Sequence, residues 1–192
     1  MKTLIVAAIR CALMFLVPSV TYASSAQWNL DPISGDWNTA ANWTPNGIPN
    51  GPADIATFGL SNTTDVSISA NTEVDGITFT SAATNPYTIT TGGDIALTVS
   101  GVGITNNSGI TQHFVLFGRV EETQMRFTNR ASAGNASILI AGNGSSVHFF
   151  NRSTAGSATM LSDGGEASYS FSTPPLPVVR SSTSNLLELA TS

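Results

Sequence analysis

The sequence predicts an all-β chain wound as a right-handed parallel β-helix, a solenoid of about 22-residue coils with an N-terminal aromatic cap. Three observations predict it. Residues 125–138 align without a gap on residues 147–160, at an offset of 22. The stretch before them alternates apolar and polar residues in short runs broken by turn signals. Charged residues make up 10% of the chain against 41% hydrophobic ones, and Ser, Thr, Asn, Gly and Ala fill the difference. That composition has too many apolar residues for a disordered chain, and it suits turns and close backbone stacking.

The first segment, residues 1–23, reads as a signal peptide. Lys2 and Arg10 flank the start, the apolar run Cys11–Val17 follows, and Pro18 breaks it. Small residues at Thr21 and Ala23 suit cleavage after Ala23, and a cut after Ala26 is the alternative. The run is too short to cross a bilayer, so no transmembrane span is expected in the mature chain. Cys11 is the only cysteine, which leaves the mature part without disulfides or thiolate chemistry.

Residues 24–62 read as the cap. All three tryptophans lie here, Trp28, Trp37 and Trp43, among prolines and glycines too dense for long strands. Repeat stacks need their ends covered, and buried indoles would do that. The other reading is an exposed aromatic platform for sugar rings.

Residues 63–172 read as the coils. Val66–Ile68, Val74–Thr80, Tyr87–Thr90 and Ile95–Ser100 alternate with period two, and Asn71, Pro86, Gly92-Gly93-Asp94 and Gly101 lie between them. In the aligned pair, Phe127 falls on Phe149, Asn129-Arg130 on Asn151-Arg152, Ala133-Gly134 on Ala155-Gly156 and Ile138 on Met160. The same step carries Phe149 to Phe171 and Val147 to Tyr169. A sandwich or barrel has no reason to keep one spacing, whereas a stacked coil must. The three phenylalanines then form one internal stack, Ile138 and Met160 line another wall, and the Ala-Gly pairs turn corners. Asn129 and Asn151 take equivalent positions suited to an amide ladder. About five coils fit the segment. Residues 173–192 form a C-terminal tail with Pro174, Pro175 and Pro177, either a second cap or a point of truncation.

The net charge is −5 and the sequence carries no basic cluster, so nucleic acid is not expected as a partner. Trp37-Asn38-Thr39-Ala40-Ala41-Asn42-Trp43, Pro49-Asn50-Gly51-Pro52-Ala53-Asp54-Ile55-Ala56-Thr57-Phe58, Gly103-Ile104-Thr105-Asn106-Asn107-Ser108-Gly109 and the two aligned coils together resemble bacterial exported β-helix proteins. These are related to autotransporter passenger domains with autotransporter-associated β-strand repeats. The resemblance covers most of residues 28–172 and implies display at the cell surface or outside it, in an adhesin-like or structural role. Family members run on into a membrane barrel or sorting segment, and this sequence shows neither.

A search for chemistry gives no catalytic, cofactor-binding or metal-ligating residues. His113 and His148 are far apart, and His148 alternates with Val147 and Phe149 so that it points outward. Gly92-Gly93-Asp94 resembles a fragment of the glycine-rich calcium nonapeptide, but the repeat around it is missing. Asp65, Glu73, Asp75 and Asp94, with Glu121-Glu122 beside Arg119 and Arg126, do not recur at the coil period. Arg130 and Arg152 stack one coil apart and should face solvent, where an acidic glycan could meet them. The expected function is therefore non-enzymatic display with glycans or other cell-surface components as partners and no cofactor. A polysaccharide lyase or glycoside hydrolase on the same fold, or a cut-short passenger, is the alternative.

Overall fold

The computed structural model describes residues 24–118, 122–163, 168–172 and 186–187. The signal segment, Arg119, Glu121 and the three tail prolines lie outside them.

The chain forms β1 (Ala26–Trp28), β2 (Trp43–Thr44), β3 (Gly51–Phe58), β4 (Asp65–Ile68), β5 (Thr72–Phe79), β6 (Thr88–Gly92), β7 (Ala96–Asn106), β8 (His113–Phe117), β9 (Thr123–Phe127), β10 (Ser137–Ala141), β11 (Ser145–Phe150), β12 (Thr159–Asp163), β13 (Ser168–Ser172) and β14 (Leu186–Leu187). From β3 onward, odd-numbered strands enter one sheet and even-numbered strands the other. The first sheet runs β13-β11-β9-β7-β5-β3-β1-β2 and the second β14-β12-β10-β8-β6-β4. Each coil thus gives one strand to each sheet, and strands of successive coils pair in parallel. The fold is a β-solenoid of about five turns.

The aligned coils stack in the expected register. Phe149 lies opposite Phe127 and Phe171, and Met160 lies opposite Ile138. The 22-residue step is not general, however. Ile55 pairs with Gly76, Thr72 with Leu97 and Ala96 with Gln124, which makes those coils 21, 25 and 28 residues long. Part of the extra length is a bulge in β7: Val74 faces Val99, but Gly76 faces Gly103. Gly101 sits in that bulge, and the Asp75 carboxylate lies over it where a Cβ would otherwise stand. Bulges and turns absorb such insertions at little cost, whereas a shift inside a strand would turn its apolar face outward.

Stacking also starts ahead of the expected boundary at residue 63. The dense proline-glycine cluster ends at Pro52, and β3 then alternates, with Asp54, Ala56 and Phe58 buried and Ile55 and Thr57 less so. At the N-terminal end, β1 and β2 extend the first sheet, while residues 35–37 lie in parallel on β4 and extend the second. All three tryptophans are buried there. Trp28 and Trp37 each contact Trp43 edge-on at 5.0 Å, and all three surround Phe58. Each indole N–H donates to a carbonyl: Trp28 to Thr63, Trp37 to Pro49 and Trp43 to Trp37. An indole fills volume and also satisfies a buried acceptor, which phenylalanine could not.

Two further polar side chains inside the stack, Gln112 and Tyr87, are satisfied in the same way. Gln112 accepts from the Tyr87 N–H and donates to Ser108. The Tyr87 hydroxyl donates to Gly59 O, and burial pushes the phenol up to about 12 against a smaller opposing effect of Ser61. Asparagines repeat one task at a corner: Asn50 Oδ1 accepts the Glu73 N–H, and Asn71 Oδ1 accepts the Ala96 N–H of the next coil. At the other end, β14 pairs antiparallel with β12 and covers the edge of the second sheet.

Candidate functional site

Period-two alternation sends every second residue of the first sheet outward. With the strands in parallel register, those residues fall into columns. One column reads Glu73, Thr98, Arg126, His148 and Ser170. Its neighbour reads Gln124, Ser146 and Ser168. Successive side chains are separated by one coil, about 4.8 Å.

The columns are tied together laterally. Arg126 Nε donates to Gln124 Oε1 at 2.6 Å, and Gln124 Nε2 donates to Glu122 Oε2 at 2.7 Å. His148 Nδ1 lies 2.6 Å from Ser170 Oγ, and Nε2 lies 2.9 Å from Ser146 Oγ. Its ring stacks on Phe150 at 5.6 Å. Burial pushes the imidazole below its ordinary pKa and Arg126 pushes it the same way, while Glu122 opposes them. His148 is therefore held neutral, hydrogen-bonded through both nitrogens, on a face where Thr98 lies between Arg126 and Glu73 and Gln124 between Arg126 and Glu122.

Arg130 and Arg152 lie on the turn that follows this sheet, and both are exposed as the sequence predicted. The turn is fixed by Asn129 and Asn151, at φ 56° and 60°. Asn tolerates this left-handed geometry better than most side chains. The expected amide ladder is replaced by another arrangement: Asn129 Nδ2 donates to Ser100 O, and the coils join through the Arg152 N–H to Asn129 O. The Asn129 amide thus bonds a backbone carbonyl of the preceding coil and not the amide of Asn151.

The remaining candidates do not converge. His113 lies on the outer face of the second sheet, between Thr88 and Ser137, away from His148. Asp65 is on that sheet as well, and Glu73 and Asp75 are on the outer side of β5 in the first. Asp94 is exposed in the turn before β7. Gly93 takes φ 72° in the same turn, and its carbonyl accepts a hydrogen bond from the Thr123 hydroxyl. Among the described residues no three His, Cys, Asp or Glu side chains gather as a metal site requires, and no helix is long and apolar enough to cross a membrane. The tryptophans offer no platform to a sugar ring, because their faces are packed against one another and against Phe58.

Sequence reasoning placed His148 outward but passed over Gln124, Ser146, Phe150 and Ser170. The signal was present: the 22-residue step that puts Val147 on Tyr169 also puts His148 on Ser170. Compared with known protein families, curated proteins and solved structures, the chain matches none.

Proposed function

We propose that this chain is an exported, non-enzymatic display protein, a rigid solenoid with an adhesin-like or structural role at the cell surface. Its outer columns and exposed arginines would meet glycans or other cell-surface components. The observation that carries the reading is the in-register column Thr98–Arg126–His148–Ser170 on a parallel sheet, with Arg130 and Arg152 one coil apart beside it. Repeated polar groups at one coil spacing suit an extended polymer better than a single small molecule. Cations at the rim suit an acidic polymer through salt-sensitive attraction. The resemblance to autotransporter-type passengers supports export and display.

The test uses the full chain expressed with its own N-terminal segment in a bacterial host. Cell fractions are probed for the protein, and the exported product is applied to immobilised neutral and acidic polysaccharides. The expected outcome is export, retention on acidic polymers that salt reverses, and weaker retention of the Arg130→Ser, Arg152→Ser double variant. The same polymers should show no new reducing ends. Confinement to the cytoplasm would remove the export reading, and release of sugar fragments would replace display by a carbohydrate-active enzyme.

A further inference from the structure

Asp54 stands at an inward position of β3, on the side of Ala56 and Phe58, and is only 4% exposed. A buried carboxylate needs hydrogen bonds and a compensating charge. Two backbone N–H groups supply the first: Asn50 N donates to Oδ2 at 3.0 Å, and Ser24 N donates to Oδ1 at 2.5 Å. Among the described residues no cationic side chain is hydrogen-bonded to it. No lysine or arginine occurs between Arg10 and Arg119, and the first histidine is His113. The cap buries an acid in a stretch of chain without a cationic side chain.

Ser24 is also the residue that cleavage after Ala23 would place first. We propose that the Ala23–Ser24 bond is cut and that Asp54 is the internal receptor for the α-ammonium this creates. The proposal rests on the export reading above and specifies where processing falls and what it does to the fold. Water adds across the peptide bond under an endopeptidase, Ala23 leaves with the new carboxylate, and the Ser24 nitrogen becomes an amine. That amine takes up a proton near neutral pH. The N–H···Oδ1 contact of the uncut chain, from a neutral donor, becomes one between opposite charges. Removal of the leader then locks β1 against β3.

The alternative cut, after Ala26, fits the structure poorly. It would remove Ser24, the Ser25 hydroxyl that accepts the Ile55 N–H, and Ala26, which pairs with Ala56 in the sheet. Asp54 would keep a single donor.

Two arms test this. In the first, the product secreted from the full chain is read by N-terminal sequencing and intact mass. Ser24 as first residue is expected, and Gln27 would overturn the proposal while leaving export standing. In the second, residues 20–23 of the full chain are replaced by a factor Xa recognition sequence, so that cutting in vitro frees Ser24 without any export. Cutting should raise Tm by about 2–4 °C. The rise should vanish in Asp54→Asn and in a version with two residues added ahead of Ser24, which moves the amine while leaving Asp54 intact. An equal rise in all three, or none in the parent, would overturn the pairing. A full chain held uncut in the cytoplasm would sink the export reading, and the factor Xa arm would still decide whether Asp54 receives the amine.

Discussion

Phe127 and Phe149, one coil apart, lie with their rings 5.0 Å between centroids and 7° from parallel. Phe171 continues the column at 4.8 Å and 13°. Position in the column grades the burial: Phe127 and Phe149 are enclosed, and Phe171 is 36% exposed. Truncation to alanine should follow that gradient. Phe127→Ala and Phe149→Ala should each cost about 3–5 kcal/mol, as for other enclosed aromatic side chains. Phe171→Ala should cost clearly less. Urea unfolding of the three variants gives the order, and an equal or larger loss at Phe171 would contradict the stacking.

The corner glycines differ in what surrounds them, although their backbones agree. Gly134 has φ 62°, and a Cβ there would fall 2.4 Å from Ile104 O. Gly109 has φ 72° and open space around the same position. Gly109→Ala should therefore cost only the left-handed backbone strain, about 1–2 kcal/mol. Gly134→Ala adds a clash with the preceding coil and should exceed that by at least about 1 kcal/mol. Chemical unfolding of both variants separates strain from crowding, and equal losses would show that the coils can part at that corner.

These corners also explain what could be read from the sequence. The coils at 125–138 and 147–160 are legible because their turns are tight and built from small residues, which leaves no room for an insertion. Upstream the 28-residue step from Ala96 to Gln124 hides the repeat, since added residues enter turns, and β7 also carries a bulge. Burial of the tryptophans was foreseeable from the need to close a stack. The earlier start of the sheet at β3 was masked by Asp54, a charged residue at an inward position. The outer columns were only half legible: parity gave His148 and the 22-residue step places Ser170 beside it, but that the two hydroxyls of Ser146 and Ser170 bond its ring depends on side-chain geometry the spacing does not specify.

The indole hydrogen bonds of the cap give a third prediction. Trp43 Nε1 donates to Trp37 O at 2.7 Å in a buried setting. Trp43→Phe keeps an aromatic ring against Phe58 but leaves that carbonyl without its donor and a void beside it. The expected loss is about 2–4 kcal/mol, from an unsatisfied buried acceptor plus a cavity. Thermal melts of the variant, with tryptophan fluorescence as a second probe, check it. A loss below about 1 kcal/mol would mean that water or the backbone replaces the indole donor.

The last prediction concerns pH and follows from His148. Burial and Arg126 hold the imidazole below its ordinary pKa in the folded chain, with Glu122 only partly opposing them. In the unfolded chain the residue titrates near its ordinary value of about 6.5. Between that value and the lower folded one, the unfolded state binds more protons, so protonation favours unfolding. The contribution of neutral His148 is fully present above about pH 6.5 and is lost as pH falls toward the folded pKa. His148→Gln keeps a hydrogen-bonding side chain but does not titrate. The difference in Tm between parent and variant should therefore be flat above about pH 7 and should shift against the parent as pH falls toward about 5. A difference independent of pH across that window would show that His148 is free to charge in the folded state, and that the Ser146–His148–Ser170 contacts do not hold it neutral.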